Sequence, residues 1–319
     1  MLSSAPAGPL AARGRQPAIP VIGFLNSAST EGYAPMVAAF SEGLNQTGYF
    51  EGQNVVIEFL WADGHYDRLP ELAAELVRRQ VVVIAAGGPP AALAAKTATS
   101  TIPIVFTSGT DPVELGLVSS FNRPGGNITG VHLFLSELNT NKLGLLRDLL
   151  PQAKAIGVLL NPTAENAEPH YQSRDLQAAG RALGFQIRRV NASSDREFNP
   201  AFATLVGLRV DGLVVGADPF FNSRREHIVG LAARHAIPAV YETREYADAG
   251  GLMAYGTNIK DAYRQAGVYV GRLLRGGTAA DLPVLRSTKF ELVINLKTAR
   301  VLGLTLPPGI LAIADDVIE

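Results

Sequence analysis

The sequence contains no cysteine. Disulfide bonds, thiolate catalysis and cysteine-ligated metal sites are therefore excluded. It also has no run of about 18 consecutive apolar residues, the length that a membrane-spanning helix needs. Lysine and arginine (28 residues) nearly balance aspartate and glutamate (29 residues), and the formal net charge is -1. Because no segment is strongly basic, the sequence does not predict the positive surface that nucleic-acid binding requires.

Apolar residues, glycine and proline are plentiful. Of the 319 residues, 47% are hydrophobic, and there are 32 glycines and 20 prolines. A chain of this length can bury two cores, with many short turns between its regular elements. Residues 1–18 differ from the rest, because they are small, polar and proline-rich, with Arg13 and Arg15 but without the apolar segment of a secretory signal. We expect them to be disordered.

Strand-like and helix-like segments alternate along the chain. Residues 81–86 form a continuous apolar run, which is typical of a strand covered on both faces of a parallel sheet. Leu69, Ala73 and Leu76 have the spacing of one helix face. The alternation begins again after residues 123–130, which are dense in turn residues. Repeated β-α-β order predicts an α/β fold with two doubly wound, Rossmann-like lobes.

Three turn-rich segments indicate that the chain crosses between the lobes more than once. They lie at residues 123–130, 250–251 and 282–283. Three crossovers would form a hinge of several strands. The sequence therefore predicts a first lobe of residues 19–130 plus 256–282 and a second lobe of residues 131–255 plus 283–319.

Small polar residues follow the predicted strands of both halves. In doubly wound sheets, ligands bind beyond the carboxyl ends of the strands, so these loops line one cleft if the two lobes face each other. The candidate ligand-binding residues of the first lobe are Asn26, Ser27, Ser29, Trp61, Gly87, Gly88, Pro89, Thr107, Ser108 and Asp111. Those of the second lobe are Asn161, Asp218, Phe220 and Tyr241.

Several of these candidates have a second interpretation. Residues 87–90 precede a helix, whose free N–H groups favour an anion, but they also suit a plain strand-to-helix turn. Asp111 could pair with an ammonium group of the ligand, or it could cap the helix that follows, which is the commoner use. Phe220, Tyr241 and Trp61 could wall a pocket, although aromatic side chains occupy cores more often.

The sequence lacks the motifs of common enzyme sites. No Gly-x-Gly-x-x-Gly or Walker-type loop follows a strand, and no Gly-x-Ser-x-Gly elbow is present. The five histidines include no His-x-x-x-His pair that would ligate a metal. Glu242 and Glu245 are spaced like an acid–base pair, but the charges around them favour a solvated turn. We therefore predict no catalytic residues, no cofactor and no metal.

Five segments together resemble one protein family. They are EGQNVVIEFLWADGHYDRLPELAAELV (51–77), TIPIVFTSGTDPVELGLV (101–118), RPGGNITG (123–130), AGGLMAYG (249–256) and KFELVINLKTARVLGLTLPPGILAIAD (289–315). These segments are similar to the ABC-transporter substrate-binding proteins of the tryptophan/tyrosine-binding type. The similarity extends from about Ile19 to Glu319 and so covers nearly the whole chain.

The resemblance implies a type I periplasmic-binding fold whose two lobes, joined by three crossovers, close on a ligand. It implies a solute receptor and no enzyme, with an amino acid or an aromatic or other organic acid as ligand. The implied protein partner is an ABC permease in the inner membrane, and the implied oligomeric state is a monomer. Where the family's aromatic amino-acid binders have Thr-Pro after the third strand, this chain has Gly88-Pro89 and therefore lacks one hydroxyl.

The resemblance also bears on the first residues of the chain. PLAARGRQPA (9–18) is similar to the tail of the family's export signals. Residues 1–18 are therefore interpreted as a disordered remnant of an export signal, and the implied location is the periplasm.

Two other functions fit the predicted fold. The same lobes could report a ligand to a membrane signalling partner. A transcription regulator is a poorer fit, because about 19 residues precede the first strand, too few for a helix-turn-helix module. An enzyme is the third possibility, since a doubly wound fold alone does not fix function.

Overall fold

Six parallel strands form the first sheet of the computed structural model, which describes residues 19–135, 138–163 and 171–319. These strands are β1 (Val21–Asn26), β2 (Val56–Trp61), β3 (Val83–Gly87), β4 (Ile104–Ser108), β5 (Ile128–His132) and β11 (Leu285–Arg286). Their spatial order is β11-β5-β4-β3-β1-β2. Every residue of β3 and β4 is buried, as the sequence pattern predicts for central parallel strands.

Seven strands form the second sheet. They are β6 (Ala155–Leu160), β7 (Gln186–Asn191), β8 (Gly212–Val215), β9 (Ala239–Tyr241), β10 (Met253–Thr257), β12 (Phe290–Asn295) and β13 (Asp316–Ile318). Their spatial order is β13-β12-β10-β9-β8-β6-β7. The pairing of β10 with β12 is antiparallel, and the other pairs of this sheet are parallel.

Helices cover both faces of each sheet. They are α1 (Ala34–Asn45), α2 (Leu69–Arg78), α3 (Pro89–Ala98), α4 (Asn139–Leu149), α5 (Tyr171–Ala182), α6 (Asp195–Gly207), α7 (Pro219–Ser223), α8 (Arg225–Arg234), α9 (Arg244–Asp248), α10 (Ile259–Leu274), α11 (Leu296–Val301) and α12 (Pro308–Ala312). Short 3₁₀ turns lie at Tyr66–Arg68 and Ala279–Asp281. Among these described helices, none combines the length and the apolar content that crossing a bilayer would take.

The chain passes between the sheets three times. It leaves the first sheet after His132, returns after Thr257 through α10, and leaves again between Arg286 and Phe290. We call the first sheet with its helices the first lobe, and the second sheet with its helices the second lobe. The predicted three-crossover, doubly wound architecture is therefore confirmed.

The lobe boundaries that we inferred from the sequence stay a prediction. Residues 1–18, which the sequence analysis interprets as a remnant of an export signal, lie outside the described residues. Residues 123–130 are only partly a turn. Ile128–His132 is strand β5, which pairs in parallel with β4, so the first sheet extends two residues beyond the predicted boundary at 130. The β-branched residues Ile128, Thr129 and Val131 after the glycines favour this strand.

Three glycines allow α1 and α10 to pack closely on one face of the first sheet. A Cβ atom at Gly43 would lie 1.8 Å from the carbonyl oxygen of Arg264, and one at Gly267 would lie 2.1 Å from that of Phe40. At Gly271 the contact is with Thr47 Oγ1, also at 1.8 Å. The backbones of the two helices therefore touch directly, which any side chain at these positions would prevent.

We expect Gly267→Ala to lower the free energy of unfolding by about 1–3 kcal/mol or more, because the added methyl group must push the two helices apart. The matched control is Gly230→Ala in α8, where an added Cβ has no neighbour within 4 Å. That variant should raise the stability by up to about 1 kcal/mol through helix propensity alone. Urea denaturation followed by circular dichroism measures both, and equal effects of the two substitutions would contradict the packing.

Candidate functional site

A cavity lies between the lobes, where the carboxyl ends of the strands of both sheets converge. It contains about 460 Å³ of free space, including its mouth. Its lining combines small polar groups, two carboxyl groups and an apolar wall. The lining residues are Tyr33, Gly88, Pro89, Thr107, Gly109, Thr110, Leu133, Leu135, Ala217, Asp218, Pro219, Asn222, Glu242, Ile259 and Tyr263. Both lobes and the crossovers thus contribute to one concave site, as expected for doubly wound sheets.

Two glycines in left-handed backbone conformations let the lobes meet beside this cavity. Gly88 has φ +91°, and a Cβ there would lie 2.7 Å from Pro219 Cγ of the second lobe. Gly64 has φ +78°, and a Cβ there would lie 2.5 Å from Phe220 Cδ2. Because glycine alone adopts these angles without strain and has no Cβ, the loops of the first lobe can contact α7 directly.

Asp218 is one of the two buried carboxyl groups in the lining, and protein donors occupy both of its oxygens. Asn161 Nδ2 and the Phe221 backbone N–H donate to Oδ1, each at 3.2 Å, and the Tyr66 hydroxyl donates to Oδ2 at 2.9 Å. Burial raises the pKa of Asp218 to about 6, although these hydrogen bonds oppose the shift. Asp218 is therefore committed to capping α7 and to a contact with the other lobe.

Glu242 is the second carboxyl group, and it directly follows β9. Its Oε2 atom is fully buried and has no hydrogen-bond partner among the described protein atoms. Burial raises the pKa of Glu242 to about 8, against the opposing influence of Lys142 and of the Asp218 backbone N–H, which donates to this carboxyl group. An acidic oxygen without a partner in an enclosed cavity is costly unless a ligand donor meets it.

Asn222 supplies a second acceptor without a partner. Its side-chain Nδ2 donates to the Tyr33 hydroxyl across the cleft at 3.4 Å, while its Oδ1 atom is buried and has no hydrogen-bond partner among the described protein atoms. Asn222 and Glu242 both line the cavity. Two lining residues of the second lobe thus each carry a buried acceptor oxygen without a partner among the described protein atoms. No positively charged side chain lines the cavity within the part of the chain that the structure describes.

The apolar wall comes from the crossover segments. Leu133 and Leu135 lie at the start of the first crossing, and Ile259 begins the helix that follows the second. Tyr263 lies one turn further along this helix, and its hydroxyl accepts a hydrogen bond from Asn26 Nδ2 at 3.0 Å and makes another with the Thr107 side chain. The ring of Tyr263 is thus held in place by residues of the strand ends.

Four of the residues predicted from the sequence line this cavity. They are Gly88, Pro89, Thr107 and Asp218. Five others are buried directly behind the lining and hold it in shape. They are Asn26, Ser27, Gly87, Ser108 and Asn161, whose side chains or backbones bond to neighbouring loop groups.

The remaining predicted residues lie away from the cavity. Asp111 Oδ1 accepts from the backbone N–H groups of Val113 and Glu114, at 2.7 and 3.3 Å, which is the capping alternative. Ser29 Oγ accepts from Arg224 at 3.0 Å at the edge of the cleft. The three aromatic candidates pack against other rings in the core: Trp61 against Phe24 and Tyr33, Phe220 against Phe198, and Tyr241 against Tyr246.

The start of α3 offers an anion little to bind. Its first two residues are Pro89 and Pro90, which have no N–H group. The N–H of Ala91 already donates to Ser27 Oγ at 3.0 Å. The plain-turn interpretation of residues 87–90 therefore describes this helix end better than the anion-site interpretation.

Sequence reasoning missed several lining residues. Tyr33 ends the loop after β1 and Leu133 directly follows β5, so both lie at strand ends. Ile259 and Tyr263 belong to α10, so their position depends on how the second crossing folds. The position of Glu242 directly after a predicted strand indicated a lining residue, but the charges around it in the sequence favoured a solvated turn. The structure buries it instead, with only 2% of its surface exposed.

Comparison with known proteins gives one consistent result. A family model described as ABC transporter substrate binding protein matches residues 19–318. The "Tyrosine-binding protein" of Clostridioides difficile (strain R20291) is 31% identical over 265 residues, which is 83% of this chain and 75% of that protein. The crystal structure of an ABC domain from Streptococcus pneumonia in complex with L-Trp is 25% identical, with a TM-score of 0.83 over 94% of this chain and 99% of that chain.

A third comparison bears on the arrangement of the lobes. The ligand-free, open structure of a substrate binding protein with adhesive properties from Clostridium difficile is 26% identical over the same 94% of this chain and 99% of that chain, yet its TM-score is 0.64. Identity and coverage match those of the L-Trp complex, so the lower TM-score reflects a different arrangement of the two lobes. The lobes here are arranged more like those of the L-Trp complex than those of the open structure.

Because the buried carboxyl groups of Asp218 and Glu242 have raised pKa values, we expect them to make the ligand-free protein less stable as the pH rises. The unfolded chain releases these protons near pH 4, whereas the folded protein keeps them until about pH 6 and pH 8, so the stability contribution present below pH 4 is lost across this window. Glu242→Gln should remove the part of this stability loss that occurs between about pH 4.5 and pH 8.

Chemical denaturation of both proteins from pH 4 to pH 9 measures this difference. Other groups titrate equally in the two proteins, so the difference between the two stability curves isolates Glu242. A difference that does not change with pH would show that Glu242 titrates normally.

Proposed function

The chain belongs to the family of ABC transporter substrate-binding proteins, which bind small molecules and are not enzymes, and from that premise we propose that it is an importer's receptor for an amino acid with an apolar or aromatic side chain. The ligand occupies the cavity between the lobes, with its ammonium group on the second lobe. The observation that carries this proposal is the pair of buried acceptors, Glu242 Oε2 and Asn222 Oδ1, that have no partner among the described protein atoms.

An ammonium group fits these two acceptors. It has three N–H donors and one positive charge, and the lining supplies two acceptor oxygens, one of which belongs to a carboxyl group. A cation next to Glu242 would favour the ionised carboxylate and make a charge-assisted hydrogen bond. Asp218 is less suited to this role, because both of its oxygens already accept hydrogen bonds from the protein.

The opposite side of the cavity suits the rest of such a ligand. Thr107 and Thr110 bring hydroxyl groups to the first-lobe wall, where they can donate to a carboxylate. Leu133, Leu135 and Ile259 form an apolar surface that a hydrocarbon or aromatic side chain can cover. Relatives named for tyrosine and bound to L-Trp support an aromatic amino acid.

Transport requires that ligand binding change the shape of the receptor. A ligand that contacts both lobes stabilises the closed arrangement in proportion to its preference for that arrangement. We propose that the closed form, as a monomer, then docks onto an ABC permease in the inner membrane. Proteins of this family act outside the cytoplasm, and the periplasm is the location that we propose for this one.

We expect Glu242→Gln to weaken binding of L-tryptophan or L-tyrosine by about 30-fold or more, since removing one partner of a buried charge pair costs about 2–5 kcal/mol. The matched control is Glu226→Gln on the exposed side of α8, which should bind as the wild type does. Isothermal titration calorimetry measures the affinities. Indole-3-propionate, which lacks the ammonium group, should bind far more weakly, and equally tight binding of this acid would contradict the proposal.

Binding of the amino acid should release protons, because Glu242 is largely protonated in the empty cavity below pH 8 and ionised beside an ammonium group. The affinity should therefore rise between about pH 6 and pH 8 and level off above it. Calorimetry in two buffers with different ionisation enthalpies counts the protons. The Glu242→Gln variant should show neither effect, whereas an affinity that falls across this range would contradict the assignment.

A further inference from the structure

The lobes touch through a hydrogen-bonded tyrosine that lies outside the cavity lining. Tyr66 belongs to the 3₁₀ turn Tyr66–Arg68 of the first lobe, and 9% of its surface is exposed. Its hydroxyl donates to Asp218 Oδ2 of the second lobe at 2.9 Å and accepts from the Phe220 backbone N–H at 3.2 Å. We call these two hydrogen bonds the Tyr66–Asp218 latch. Both exist only while the lobes are together.

Packing around the latch removes it from water. Gly64 lies against the ring of Phe220, which stacks on Phe198 at a centroid distance of 5.4 Å. Hydrogen bonds to a charged acceptor are stronger in such surroundings than at a wet surface. The lobes also meet through the buried hydrogen bond from Asn222 to Tyr33, which is longer, at 3.4 Å. The ion pair between the lobes is exposed: Glu31, which Arg224 approaches at 3.7 Å, has 82% of its side chain accessible. Ion pairs of that kind contribute little.

No ligand takes part in the latch. Tyr66 does not line the cavity, and its partners are an aspartate and a backbone group of α7. We infer that the Tyr66–Asp218 latch holds the lobes together without ligand, so that Tyr66 sets the population of closed molecules in the empty receptor. Tyr66 is thus a positioning residue for closure, which goes beyond the proposed ligand and does not depend on its identity.

A preformed closed population has a consequence for binding. A ligand that enters the open cleft gains the free energy of the latch on closure, in addition to its own contacts. The latch therefore strengthens the binding of every ligand by the same factor. In contrast, changes at Glu242 or Asn222 act on one chemical group of the ligand.

Spin labels at the two sheet edges far from the crossovers measure closure directly. The sequence has no cysteine, so Gln53→Cys beside β2 and Gln186→Cys on β7 are the only labelling sites. Both positions are exposed. Double electron–electron resonance on the full-length, ligand-free protein then gives the distribution of distances between the lobes.

In this background, Tyr66→Phe should lower the ratio of closed to open molecules about tenfold, equivalent to about 1.4 kcal/mol. The matched control, Tyr255→Phe, removes a hydroxyl that bonds within the second lobe, to Asn141 Nδ2 at 3.3 Å. It should leave the distances unchanged. Thermal unfolding confirms that each variant folds, and a double-mutant cycle with Asp218→Asn should give a coupling free energy clearly different from zero.

Three results would overturn the inference. One is a distance distribution of Tyr66→Phe identical to that of the reference protein. Another is an equal shift in Tyr255→Phe. The third is a reference protein whose ligand-free molecules are all open. Since no ligand is added, failure of the proposed amino-acid specificity would leave these readings unaffected, and the two proposals can fail separately.

Discussion

Direct contact between the two lobes is the constraint from which the chemistry of the site follows. Gly64 and Gly88 have no side chain and adopt left-handed angles, so loops of the first lobe reach α7 of the second. That contact excludes water from the strand ends, and desolvation raises the pKa of both carboxyl groups enclosed there. Without close approach of the lobes, Asp218 and Glu242 would be ordinary surface acids, and the cavity would be an open groove.

The two buried acids are separated in function by their partners. Asp218 accepts hydrogen bonds from Asn161, Phe221 and Tyr66, so it organises the second lobe and joins it to the first. Glu242 has one oxygen that no described protein atom satisfies, so it remains available to a cation. If proximity to the cavity were the only criterion, both Asp218 and Glu242 would be interpreted as ligand-binding residues. The count of satisfied oxygens distinguishes the structural acid from the recognition acid.

The sequence was sufficient for the fold, the family and part of the cavity lining. The β-α-β alternation and the five family segments led to the two doubly wound lobes, the three crossovers and the solute-binding receptor, all of which are confirmed. The rule that ligands bind beyond the carboxyl ends of strands identified Gly88, Thr107 and Asp218 as lining residues, because each lies at or just after the end of a predicted strand. It did not include Tyr33, which ends the loop after β1, or Tyr263, which α10 brings to the cavity after the second crossing. The charged residues near Glu242 in the sequence suggested that it is solvated, whereas the tertiary fold buries it.

The central claim is that a ligand's ammonium group completes the hydrogen bonding of Glu242 and Asn222. A high-resolution crystal structure of the protein grown with L-tryptophan tests it most directly. The account predicts the ligand between the lobes, with its nitrogen within hydrogen-bonding distance of a Glu242 carboxylate oxygen and of Asn222 Oδ1, and its ring against Leu133, Leu135 or Ile259. A ligand carboxylate or ring in contact with Glu242, or a cleft without tryptophan, would contradict the account.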